Sequence, residues 1–543
     1  MKNKVWWKLY TYAPFLAALL VIGMIHTLML ANEEAKPYPE PFGRATELPQ
    51  LATSGESVQL VGESSFSYRS GQALQYVRID ETGQSSSETR PLPDPGLNFS
   101  YRLIQEDGTV WIGADKKLYA SEWTNGSWSP KKLLIENDIT DVQTVNGSNG
   151  IRVLLAYNEE ELYVGAYQAQ ERIEWSKVEI GGIKRIQGVL DSTGSLSLVY
   201  TMSSEGNVAI HFAKLEPESW KPIVRSKLKE LNLVTSKLDD VALGLDGSSL
   251  ITIYTTSSPK TGKSSLYSLT FPVNHPEEAQ DELLNIPVSA GIDSDTILHP
   301  AFTKSTSGEV SLVVSSVYEK NRRLTSQEVY KLAFKEGKLA SSARISQFGG
   351  FAEYPVLVSD KGNTLAIWLD PVNPESFRIF YATDQLPYQE KMNKLSAVDL
   401  RKAAETLPLL WGIGLLTSLL GLKWIVLPGM YLLALSAFWQ YHYDARPRLH
   451  FGLSFGLYIV VKALFIGDYR KAAALQVMPD FLQPVWVHLM LLIAFAVLAY
   501  VSTRIWRNGL DDRNVGLEMF YFALLDGFIT NLWYSYFMSP ASL

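Results

Sequence analysis

A glycine-bearing turn followed by an alternating apolar strand recurs seven times through the middle of the chain: "SGQALQYVRI", "EDGTVWIG", "SNGIRVLLAY", "STGSLSLVY", "LDGSSLITIY", "TSGEVSLVV" and "DKGNTLAIW". The turn glycines are Gly71, Gly108, Gly150, Gly194, Gly247, Gly308 and Gly362. Asp-Gly, Asn-Gly and Ser-Gly suit tight hairpins because such turns need positive φ. A further strand follows in six units: "KLYASEW", "ELYVGAY", "NVAIHFA", "SLYSLTF", "EVYKLAF" and "FRIFYAT". Most alternate with period two, as a strand with one buried face does. In three units a segment around Trp128, Trp175 or Trp220 supplies an outer strand. Its indole is read as packing between neighbouring sheets.

One four-stranded sheet cannot bury both of its faces, whereas a closed ring of sheets can, and closure also limits exposed edges. A repeat of this length with four strands per unit therefore predicts a β-propeller over residues 51–384. Seven glycines point to seven blades, with six as the alternative because the first unit is weak; a solenoid or paired sandwiches is the rival architecture. The order of turn, two apolar strands and Trp-Ser resembles the bacterial neuraminidase-repeat, sialidase-like propellers. That resemblance implies a fold only. The Asp-box of the group is absent, "SDKGNTLAIW" having the wrong spacing, and no arginine triad with a Tyr–Glu pair is recognisable.

The ends of the chain are apolar. "MKNKVWWKLY" carries Lys2, Lys4 and Lys8, then about twenty apolar residues lead to the acidic "NEEA". This reads as an anchor over residues 1–34 with a cytoplasmic N-terminus, in preference to a cleaved signal peptide. Residues 35–50 are Pro-rich and read as a linker, 385–406 as a connecting helix starting at Ser396 and Asp399, and 407–543 as a membrane domain. The 35-residue stretch Leu407–Tyr441 is too long for one upright span. A hairpin turning at "GLK" (421–423) fits the length and would place Trp424 and Trp439 at opposite interfaces. It gives six spans in all; the distribution of basic residues favours one long span and five. The hairpin is the expectation carried forward, with further spans near 449–466, 485–503 and 515–538.

Polar residues inside these spans mark an intramembrane site: Asp526, with Asn531 nearby, Lys462 and His488. Asp526 is expected to pair with Lys462 or to line a wet cavity, as an inter-helix strut before a proton or ion relay. Lys462 is expected to snorkel and His488 to be interfacial. "GLSFG" (452–456), or Gly412 and Gly414, suits close helix approach.

The chain has no Cys, which excludes disulfides and thiolate chemistry, and its net charge of −7 argues against nucleic acid as a partner. No nucleophile elbow, phosphate loop or zinc motif occurs, and "DSD" (293–295) lacks the rest of a calcium loop. No catalytic, metal or cofactor residue is therefore assigned and no cofactor is expected. The reading is a plasma-membrane protein, bacterial and in a Gram-positive envelope, whose exported propeller binds a protein, peptide or envelope glycan. Its partners are the bilayer, that ligand and other membrane proteins. A transport or assembly component capped by the propeller, and a tethered glycosidase, are the alternatives.

Overall fold

A computed structural model describes the chain except residues 1, 36–41, 54–57, 62–63, 95–100, 104–106, 148–151, 168–172, 205, 233, 235, 290–291, 295, 304–309, 322–323, 347–349, 361–362, 418–420, 472–473, 476–477, 509–513 and 539–543. It forms two compact units, one of residues Pro37–Lys320 and Leu324–Asn393, the other of Met1–Lys36, Asn321–Arg323 and Lys394–Leu543.

The first unit is a seven-bladed β-propeller. Its antiparallel sheets each contain four strands in sequence order: blade 1 at 59–91, blade 2 at 101–135, blade 3 at 141–178, blade 4 at 183–232, blade 5 at 237–284, blade 6 at 297–344 and blade 7 at 353–383. Blade 2 has an extra two-residue strand, and the fourth strand of blade 7 is Thr46–Glu47 from the N-terminal side. Part of the expected linker thus closes the ring. Thr46 faces Tyr381, and Gly43 N–H bonds the Thr383 carbonyl at 3.0 Å, so the chain enters beside its exit.

Seven apolar clusters lie between consecutive blades, from blades 1 and 2 (Leu74, Leu103, Trp111) round to blades 7 and 1 (Leu48, Phe66, Ile367, Tyr381). Each sheet face is buried by its neighbour, which is the reason a ring forms. Trp128, Trp175 and Trp220 belong to three successive seams. Trp128 also donates to the Pro91 carbonyl of blade 1 at 2.7 Å.

Gly194 (φ +83°) and Gly247 (φ +59°) turn between first and second strands, as the repeat predicts. Gly71 (φ +59°) turns one strand later, because the first strand of blade 1 is only Gln59–Leu60. Gly108 lies within a strand, and Gly150, Gly308 and Gly362 fall outside the described residues.

The second unit is helical: α1 (Lys2–Ala35), α2 (Ala397–Thr417), α3 (Leu422–Phe438), α4 (Pro447–Leu464), α5 (Val485–Arg507) and α6 (Val515–Met538). The predicted cap at Ser396 is present, its hydroxyl donating to Asp399 at 2.7 Å. In the expected connecting segment a short helix, Leu386–Met392, comes first, and α2 starts at Ala397 and runs into the apolar stretch.

α6 is the axis, buried along almost its whole length. α1 runs parallel to it, with Phe15 near Phe528 and His26 near Tyr536. α4 also runs parallel, with Phe455 against Phe522 and Lys462 against Thr530. α5 runs antiparallel, pairing Trp506 with Tyr521 and His488 with Tyr534.

The expected hairpin at "GLK" is not found. Gly414 lies beside Ser535, Gly421 beside Asn531, and the Tyr443 hydroxyl accepts the Gly516 N–H, so α2 and α3 follow α6 in one antiparallel course. Lys423 is ion-paired with Asp468, and Trp424 is fully buried against Tyr458 rather than at an interface. Both residues serve packing against the α4 side, which leaves nothing at "GLK" to make a turn.

Among the described residues, four helical stretches are long and apolar enough to cross a membrane: Ala13–Asn32, Ala397–Phe438, Val485–Arg507 and Val515–Met538. α4 is not among them. A Cβ on Gly452 or Gly456 would meet nothing, so "GLSFG" makes no close approach; Gly414 does, its Cβ position being 3.3 Å from Leu532 Cα.

Candidate functional site

In the helical unit, Tyr458 and Lys462 are one helical turn apart on α4, as are Phe522, Asp526 and Thr530 on α6. This i, i+4 spacing puts each set on one face. The two faces meet. Lys462 Nζ donates to Asp526 Oδ1 (2.8 Å), Asp526 Oδ2 (2.7 Å) and Thr530 Oγ1 (2.8 Å), and the Tyr458 hydroxyl donates to Asp526 Oδ2 (2.7 Å). The side chains of Lys462 and Asp526 are 1% and 0% exposed, so Lys462 does not snorkel.

Asn531 lies a turn further along and does not touch the pair. Its Nδ2 donates to the Gly527 carbonyl (2.7 Å), and its Oδ1 accepts from Tyr469 (2.8 Å). His488 is buried, not interfacial, with Nδ1 2.7 Å from the Tyr534 hydroxyl. Of the four residues read from the sequence, only Asp526 and Lys462 are brought together. With three hydrogen bonds to its carboxylate from Lys462 and Tyr458, Asp526 is a charge compensated by protein groups, the arrangement of a strut.

The propeller carries a second constellation that the sequence reading missed. The first strands of blades 2 to 7 are neighbours in ring order. Four of these strands have a register break near their start: between Ile183 and Arg185, Leu238 and Asp240, Leu298 and Ala301, and Glu353 and Val356. A bulge re-aims the side chains around it. Here the bulges connect adjacent blades. Arg185 reaches the carbonyl of Asp239 and lies 3.4 Å from Asp240 Oδ1. His299 Nδ1 is 3.7 Å from Asp240 Oδ2, and the His299 ring stacks on Tyr354 at 3.9 Å. His299 (φ +53°) and Tyr354 (φ +48°) occupy the left-handed region, which costs a bulky residue of order 1–3 kcal/mol.

Arg102 of blade 2, 3.6 Å from Asp141 of blade 3, continues the ring. The Tyr157 hydroxyl donates to that carboxylate at 3.2 Å, and burial with the Asp141 charge raises the Tyr157 pKa above the usual range. Glu353 is also raised, by burial and then by the Asp370 charge. Asp240, His299 and Arg185 keep 31%, 21% and 51% of their side-chain surface, so solvent reaches them. This polar mouth lies at the start of the first strands. Thr383, where the chain leaves blade 7, lies at the other end. The available signal was Pro inside two first strands, "LHPAF" and "EYPVL", which marks a bulge.

Among the described residues the one group with metal-ligand spacing is His275, Glu277 and Glu278, all exposed.

The fold and site thus define a seven-bladed propeller joined to a set of apolar helices. No protein-family profile matches the chain, and no curated protein matches it in sequence. Among solved structures the chain is similar to a Penicillium chrysogenum alpha-L-arabinanase complexed with arabinobiose (9% identity, 45% of this chain and 92% of that one, TM-score 0.31). It is also similar to an ulvan lyase of a polysaccharide lyase family (9%, 52% and 83%, 0.32) and to a Trypanosoma rangeli sialidase in complex with an inhibitor (12%, 64% and 61%, 0.35).

Proposed function

We propose that this is a multi-pass plasma-membrane protein whose propeller, outside the cytoplasm, binds an envelope ligand at the polar mouth and does so without turnover. The observation that carries the reading is the run of bulged first strands, which places Arg185, Asp240, His299 and Tyr354 from four blades in one solvent-reached set. Propellers build sites from several blades in this way.

Membrane residence is supported by the helical unit's inverted polarity. Leu20, Met24, Met430, Leu433, Met490 and Ile493 are exposed, while Asp526, Lys462, Glu518 and His488 are inside. The alternating helix directions support five crossings, α2 and α3 counting as one. With the N-terminus cytoplasmic, Arg446, Arg448, Arg504 and Arg507 then lie inside and Arg470 and Lys471 outside, as basic residues distribute around bilayers. The bacterial assignment rests on sequence character alone.

The test uses the whole protein in nanodiscs and two probes, solubilised cell-wall glycan and envelope peptides. Retention of one probe that is lost in Asp240→Asn and His299→Ala, with thermal unfolding unchanged, supports the reading. Equal retention by the variants removes the mouth as the site. Release of reducing ends from the glycan would make the protein a hydrolase instead.

A further inference from the structure

The propeller holds a second recess on the flank of blade 4, against the loop arriving from blade 3. Its volume is about 340 Å³, and Tyr200, Met202, His211, Arg225 and Ser226 line it with Ile180. At about 30 Å³ per water it holds roughly ten water volumes, the size of a small ligand. Three adjacent strands build the polar wall, because Tyr200 faces His211 across one strand pair and His211 faces Lys227 across the next.

What distinguishes this wall is its supply of unengaged polar groups. Among the described residues, neither ring nitrogen of His211 nor the Tyr200 hydroxyl has a hydrogen-bond partner. Arg225 makes one bond, from Nη2 to the Glu179 carbonyl at 2.9 Å, and has no carboxylate opposite it. Lys227 differs in being paired with Glu230 at 2.7 Å. The His211 ring stacks on Tyr200 at 5.4 Å, which fixes its plane. A guanidinium, an imidazole and a phenol hydroxyl on one face of the blade, Tyr200 opposite His211 and Arg225 two residues from Lys227, match the oxygens of an anion.

We propose that this cleft takes an oxyanion, a carboxylate or a tetrahedral phosphate-like group on a small ligand, held by Arg225, His211 and Tyr200. Ile180 and Met202 provide an apolar wall for the body of that ligand.

A pH dependence follows from its charges. Burial and then the Lys227 charge hold His211 below the ordinary imidazole value, with Glu230 acting in the opposite sense. Arg225, from the same strand as Lys227, adds positive charge, and Glu179 at the rim adds negative. His211 is therefore neutral at pH 7, and a bound anion draws a proton onto it. Affinity therefore rises as pH falls through the range in which His211 takes up its proton.

The test is titration calorimetry on the whole protein in detergent micelles with formate and with sulfate, whose charges are nearly constant over the range used. At least one is expected to bind saturably and about fivefold more tightly at pH 5.5 than at 7.5. Arg225→Gln is expected to weaken it about tenfold or more, and Lys229→Gln, whose residue pairs with Asp281 outside the cleft, to leave it unchanged. Formate binding alone identifies a carboxylate site, and sulfate binding alone a phosphate-like one. Absence of saturable binding by both at pH 5.5, or equal binding by correctly folded Arg225→Gln, overturns the proposal.

Discussion

Lys462 and Asp526 sit together in the interior of otherwise apolar helices, and desolvation decides what that arrangement is worth. A buried pair regains in attraction about what each ion loses in hydration, so removing one partner is far worse than removing both. Lys462→Met alone is expected to destabilise the helical unit by about 3–5 kcal/mol, and Lys462→Met with Asp526→Leu to recover most of that. Reversible unfolding in mixed micelles measures both; a double variant no better than the single one would mean the pair is no strut. Glu353 gives a second residue-scale test. Its carboxyl is raised by burial and the Asp370 charge, so the folded state resists ionisation, and stability is lost as pH rises from the unfolded value of about 4.3 through the folded one. Glu353→Gln should therefore raise the unfolding temperature at pH 7 and leave it unchanged at pH 3.5. Asp526 and Lys462 were legible in the sequence because a charge stands out in an apolar run. Asp240, His299 and Tyr354 were not, because each is an ordinary strand residue more than fifty positions from the next, and only the ring order makes them neighbours.

At the scale of elements, the propeller depends on a strand of two residues. Thr46–Glu47 completes blade 7, and Leu48 and Ala52 beside it are buried in the seam between blades 7 and 1. Leu48→Ala is expected to cost about 2–5 kcal/mol, the usual range for a buried leucine. Its effect should appear in protease resistance at Arg69 and Arg378, in blades 1 and 7, before Lys227 in blade 4, because the ring opens at its closure. Uniform loss around the ring would argue against that order. The turn glycines and alternating strands were readable because both are local. The closing strand was not, since "RATELPQL" has neither the length nor the alternation of a strand and pairs only because the far end of the chain offers Phe380 and Tyr381. The Leu407–Tyr441 stretch misled for a related reason. Its length says nothing of its neighbour, and Gly414 and Gly421 let it follow α6 instead of folding back.

For the whole molecule, the course of that stretch decides the topology of everything after it. One pass by α2 and α3 makes α4 the third crossing, although at 18 residues, or about 27 Å, it is barely long enough and carries Lys462. Lys462 is tolerable there because Asp526 and Thr530 satisfy it. A hairpin would instead invert α4, α5 and α6 relative to the bilayer and bring four arginines to the outside, against the usual bias. The absence of native Cys makes the distinction clean, since each introduced thiol is the only one in the chain. With five crossings, Asp444→Cys and Asn508→Cys resist a membrane-impermeant maleimide in intact cells and react after permeabilisation, whereas Asp480→Cys and, in the propeller, His275→Cys react at once. All four positions are exposed in the structure, so protection reports the bilayer and not burial. Labelling of Asp444→Cys and Asn508→Cys in intact cells, with Asp480→Cys protected, would restore the hairpin and six crossings. The same pattern with His275→Cys also protected would instead place the propeller in the cytoplasm and remove the envelope ligand with it.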